Sequence, residues 1–199
     1  MCKVPVITLG HNGDRAMASG QQQAVDILFF WWQAGPERWF STDHTFDRQV
    51  ADRFMAMYDH AASGGLDHWE ATPHGAMALL ILLDQFPRNM FRETPRAFAT
   101  DSKSLAVARR ALARRDYLAY PAPARQFFFL PFEHAEDMEA QTIAVDCFRK
   151  YGDEQGYFYA LLHMDVIRRF GRFPHRNKIL GRKSTASEEA FLQEGGLLT

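Results

Sequence analysis

The sequence predicts an all-α protein, about seven or eight helices in stacked antiparallel hairpins without a strict internal repeat. Three observations carry that reading. Apolar residues recur at i, i+3/i+4 and i+7 along most of the chain, no run alternates apolar and polar residues as a strand does, and capping and stop signals bracket the runs.

Residues Met1 to Gly20 show neither period and carry three glycines, so the reading begins the single domain at residue 21 and treats 1–20 as a mobile tail or an over-called start. Met17 is then a candidate initiator, which mass spectrometry of the natural protein would reject by finding Met1 intact. QQAVDILFFWWQAG follows as one helix, stopped by Gly35-Pro36. Asp43 is placed to cap a second, on which Phe46, Val50, Phe54, Met57 and Ala61 form one face before Gly64-Gly65.

Thr72-Pro73 pairs a cap with a proline at the first helical position. The run it opens, HGAMALLILLDQF, is apolar on every side and should be the most buried element. Thr94-Pro95 repeats the signal before AFATDSKSLAVARRALARRD. An aromatic segment, ARQFFFLPF, leads to EDMEAQTIAVDCFRKYG, whose acidic opening suits a helix N-terminus. GYFYALLHMDVIRRFG forms the next helix, closed by Gly171, and Thr185 with Glu188 reads as a capping box for a last short one.

The chain's 199 residues suit one domain, and its 17 phenylalanines within 14% aromatics predict a dense aromatic core. A net charge of −1 gives no general attraction to nucleic acid or anionic membrane. Two cysteines without CxxC spacing make neither a disulfide framework nor a zinc finger. The apolar run Ala76 to Leu83 is far too short to span a bilayer, and the start lacks the pattern of a secretory signal, so the expected location is the cytoplasm. Nothing resembles GxGxxG, a Walker loop, GxSxG or HExxH, so no cofactor and no metal is expected.

Two phrases stand out. DQFPRN (Asp84 to Asn89) and FGRFPHRN (Phe170 to Asn177) both place Arg-Asn soon after Phe-Pro at the end of an apolar run. Each Phe-Pro is expected to end a helix, because proline disfavours helical geometry in the residue before it. Asp84 sits where the helix dipole disfavours an anion, so it needs a partner such as Arg88, either as a local clamp or as part of a site. Arg168, Arg169, Arg172, Arg176, Lys178, Arg182 and Lys183 form an acid-free basic stretch, open to pairing with internal acids or to binding a small anion. His163 lies on an apolar stripe with Tyr159, Val166, Ile167 and Phe170, which makes it a core histidine or a buried acid–base group. His134 stands among Glu133, Glu136 and Asp137 at spacings that do not share a helix face.

Together LLDQFPRNMF, LPFEHAEDMEAQ and FGRFPHRNKILGRKST resemble the bacterial family known as domain of unknown function 924, over roughly Ala24 to Glu194. The resemblance implies a tetratricopeptide-like right-handed helical array and brings no settled activity. Its signature maps onto Trp69, Asp84, Phe86 to Asn89, Glu133, His134, Glu136, His163, Phe170 to Pro174, Arg176 and Asn177. From these the expected site has His163, His134 and Glu136 as catalytic candidates. Arg88, Asn89, Arg172, Arg176, Asn177, Asp84 and Trp69 are its ligand-binding candidates. The expected ligand is a small anion, acted on by a histidine base, and the alternative is a helical scaffold for a peptide or protein with the motifs purely structural.

Overall fold

A computed structural model describes residues 11–197 of the chain, with side chains from residue 20 onward. Among them the secondary structure is helical, without strands. α1 (His11–Ala34) begins well before residue 21, so His11 to Gly20 are helical where the sequence pattern showed no period; Met1 to Gly10 lie outside the described residues. The physical reason is local, since Ala, Arg, Met and Gln dominate residues 14–24 and propagate a helix despite Gly20.

α2 (Pro36–Trp39) is a single turn and α3 (His44–Ala62) is capped by Asp43, whose Oδ1 accepts from the amides of Thr45 and Phe46. α4 (Pro73–Leu80) is capped by Thr72 and buried along its length after the first turn, packing against α1 and α6. It runs into a π-helical turn, Ile81–Gln85, and then α5 (Phe86–Met90), which packs on α3. α6 (Asp101–Arg114) starts later than Thr94-Pro95 suggested. Those residues open a separate 3-10 turn, Pro95–Phe98, because Thr94 turns its hydroxyl back to the Phe91 carbonyl instead of capping forward. α7 (Leu130–Glu133), α8 (Met138–Tyr151) and α9 (Glu154–Phe170) follow, the last two as an antiparallel hairpin, and α10 (Ala186–Gln193) carries the expected capping box. Among the described residues the longer helices agree with the seven or eight expected, and α2, α5 and α7 are additional short turns without a readable period.

Phe30, Trp31, Phe46, Phe54, Phe86 and Phe127 form a continuous aromatic cluster, with Trp31 against Phe86 at 5.7 Å and Phe54 against Phe86 at 4.8 Å. No helix is long and apolar enough to cross a membrane among the described residues.

Neither Phe-Pro ends a helix. Phe86 is helical, and its amide reaches back five residues to the Ile81 carbonyl. The wider turn accommodates Pro87, which has no N–H to give; the Leu83 carbonyl four residues back is served instead by the Thr100 hydroxyl at 2.6 Å. In the second phrase Gly171, at φ 69°, closes α9, and Pro174 opens a one-turn 3-10 helix, Pro174–Arg176.

Candidate functional site

The π-helical turn gives Asp84 its place. Widening the helix by one residue sets the carboxylate, 1% exposed, against the turn that follows α7. That turn holds His134, and it is pinned by Gln141 of α8, whose Nε2 donates to the carbonyls of Glu133 at 2.7 Å and Ala135 at 2.8 Å. His134 Nδ1 lies 2.9 and 3.0 Å from the two oxygens of Asp84. Burial would raise the Asp84 carboxyl, but the Arg88 charge and the bonds from His134 and Gln85 outweigh it and hold it at about 2. Burial and the Arg88 charge push His134 below the ordinary histidine range, so the imidazole is neutral at pH 7. A carboxylate only accepts, so Nδ1 carries the proton and Nε2 keeps a free lone pair. Nε2 makes no hydrogen bond to any described residue.

Arg88 Nη1 donates to the Asp84 carbonyl at 2.6 Å and lies 3.4 Å from its carboxylate, the local clamp that the spacing suggested. Its two Nη groups also grip Asp101 at 3.0 and 3.1 Å. Asp101 in turn accepts from Arg176 Nη1 at 3.2 Å. The arginines of the two repeated phrases therefore meet on one carboxylate, a residue absent from the expected site. In sequence Asp101 reads as an ordinary acid in a helix's first turn, and only the fold reveals its second partner.

Beside this lies a second pair. Glu133, 4% exposed, faces His163, with Oε1 3.3 Å from Nδ1. Burial, reinforced by the Asp84 charge, raises the Glu133 carboxyl to about 8, so it is a neutral acid at pH 7. Its Oε2 is buried without a partner among the described residues. His163 donates from Nδ1 to the Tyr159 carbonyl at 2.9 Å, and burial lowers it to about 3. Both histidines are thus neutral, each with Nδ1–H held by the protein.

The remaining expected residues disperse. Asn89 donates to Asp47 at 2.8 Å, a carboxylate it shares with Arg92, and Asn177 meets Ser184 and Arg182. The two asparagines, expected in one site with Arg88 and Arg176, are therefore held by other partners. Glu136 orients no histidine: Arg182 holds it at 2.6 and 2.9 Å, and it accepts from the Phe173 amide at 2.8 Å, fixing the FGRFPHRN turn. Arg172 is clasped by Glu188 of α10 at 2.6 and 2.8 Å. Trp69 is buried where α4 meets the 3-10 turn Asp67–Ala71, and Gly75 lets its carbonyl approach closely. A surface hollow of about 400 Å³ is lined by Arg169, Phe170, Arg172, Thr185, Ser187 and Glu188, none of them in the buried cluster. Among the described residues no three His, Cys, Asp or Glu are grouped to hold a metal ion.

Residues 27–196 match a family model described as "Bacterial protein of unknown function (DUF924)". The chain belongs to this family. It is also similar to the solved structure of a protein of unknown function from Agrobacterium tumefaciens, at 43% identity and a TM-score of 0.85, covering 88% of this chain and 99% of that one. No curated protein matches it. The all-α fold and the membership in a family of unknown function agree with the sequence reading, and no specific activity is attached to either.

Proposed function

We propose that this family member binds a small anionic ligand at the Asp84–His134 cluster and uses His134 as a general base on it, in the cytoplasm. The observation that carries the reading is the oriented imidazole: a buried carboxylate holds Nδ1–H, which leaves Nε2 as a neutral proton acceptor, while Arg88 contacts the same carboxylate and meets Arg176 on Asp101. When Nε2 takes a proton, Asp84 stabilises the imidazolium, as a carboxylate behind a catalytic histidine does.

The pKa pattern supports the same reading. Glu133 is held as an acid, and His134 and His163 as bases, by a low-dielectric setting that works against their ordinary charge states. Arg88, Arg176, Asp84 and Asp101 balance in charge, so the cluster has no net field for a polyanion. The proposal therefore excludes nucleic acid as the partner.

A thermal screen tests it. Wild-type protein should gain about 2.7 kcal/mol from the right anionic metabolite at a hundredfold excess over its dissociation constant. His134→Gln should bind that compound and not turn it over. A full screen of anionic metabolites without a shift would leave the scaffold reading in front. That second reading draws on Val25 and Phe29, one turn apart on α1 and exposed at 53% and 58%, with Phe40 at 61%.

A further inference from the structure

Arg176 is built differently from Arg88. Arg88 spends both Nη groups on Asp84 and Asp101, whereas Arg176 gives only Nη1 to Asp101. Its Nε is buried without a partner among the described residues, and its Nη2 has no hydrogen bond to any of them. The guanidinium carbon lies over the rings of Phe98 at 4.6 Å and Phe173 at 4.5 Å, so two phenyl groups take up part of its surroundings and narrow the approach of a further partner. A buried donor left unpaired is expensive for the fold, which argues that something else completes it.

We propose that the Nε–Nη2 edge of Arg176 is the subsite for a carboxylate group of the ligand, so that the site takes a small organic acid and not a phosphate ester. This rests on the reading above that the cluster binds a small anion. Nε–H and Nη2–H form two parallel donors, the fork that a planar carboxylate fills with both oxygens. A flat group suits an approach narrowed by two rings better than a tetrahedral one. Asp101 on the neighbouring nitrogen and Asp84 on Arg88 leave the cluster balanced, so one added negative charge is tolerated where two are repelled. Burial and the nearby Arg88 charge draw Arg176 down to about 10, a penalty that an added carboxylate relieves.

The test follows the arginine side-chain Nε–Hε signals of ¹⁵N-labelled wild-type protein at pH 7. The signal of Arg176 is assigned through its own backbone amide, and the probes are sodium acetate, sodium phosphate and sodium chloride at equal ionic strength. Acetate should move the Arg176 signal in a saturable way and raise the thermal midpoint, with neither effect from chloride or phosphate. Arg176→Lys keeps the charge and removes the fork, and should lose the acetate response. An equal response to phosphate would overturn the carboxylate assignment while leaving the anion-site reading intact. Retention of the response in Arg176→Lys, or a wild-type Arg176 signal that ignores acetate, would also overturn it. Failure of the broader reading shows elsewhere, in the protonation of His134.

Discussion

Asp84 and His134 stand fifty residues apart in the chain and 2.9 Å apart at Oδ2 and Nδ1. The contact joins the π-helical turn of the central helix to the turn after α7, and it serves both stability and the proposed chemistry. Asp84→Asn keeps the shape and removes the charge, leaving Arg88 with Asp101 as its remaining carboxylate and the His134 Nδ1–H without an anionic acceptor. Loss of one partner from a buried pair costs about 3–5 kcal/mol. At about 2–4 °C per kcal/mol for a chain of this size, the thermal midpoint should fall by roughly 6–20 °C. Calorimetry checks it.

Asp101 should couple the two repeated phrases energetically. In a double-mutant cycle of Asp101→Asn with Arg176→Lys, followed by urea unfolding, the two changes should be non-additive by about 0.5–3 kcal/mol. Additive changes would mean that the 3.2 Å contact between these residues carries no energy.

Thr100→Val removes the hydroxyl that serves the Leu83 carbonyl and keeps the volume. A buried carbonyl left without a donor costs about 1–3 kcal/mol, to be read from the urea midpoint at unchanged slope.

Glu133 makes stability fall toward alkaline pH. The folded chain holds its proton to about pH 8, while the unfolded chain releases it near 4.5, so folding takes up a proton between those values and stability drops as pH rises through them. His163 acts the other way: with a folded value of about 3 against 6.5 when unfolded, it raises stability as pH climbs from 3 to 6.5. The span from pH 6.5 to 8 therefore isolates Glu133, which over that span lowers stability by about 2 kcal/mol at about 1.4 kcal/mol per unit. Glu133→Gln should flatten that decline in a series of thermal midpoints, and equal slopes in both proteins would contradict the assignment.

Features written in neighbouring residues were legible in advance. Asp43, Thr72 and Thr185 cap the helices they precede, Gly171 closes α9, and the all-apolar run is the buried centre. Asp84, Arg88, Arg176, His134 and His163 stand out by composition and setting, and the fold gathers them. What stayed hidden depends on partners far along the chain. The π-helical turn requires Thr100 to serve a carbonyl seventeen residues earlier, and the bridge between the arginines requires Asp101, which locally looks like a helix-start acid. Asn89 and Asn177 share a phrase but not a place, because Asp47 on α3 claims the first and the turn before α10 claims the second. Two similar phrases take different local forms, a continuing helix in one and a one-turn 3-10 helix in the other, and their partners are set by whichever element packs against each.

The measurement that bears most directly on the account is the protonation state of His134, read from the ring nitrogens by ¹⁵N NMR between pH 5 and 8 in wild type and Asp84→Asn. At pH 7 the wild-type ring should be neutral with its proton on Nδ1 and Nε2 bare, titrating below the ordinary histidine value, and Asp84→Asn should lose that tautomer preference. An imidazolium at pH 7, or a proton on Nε2, would contradict the claim that Asp84 holds His134 ready as a base.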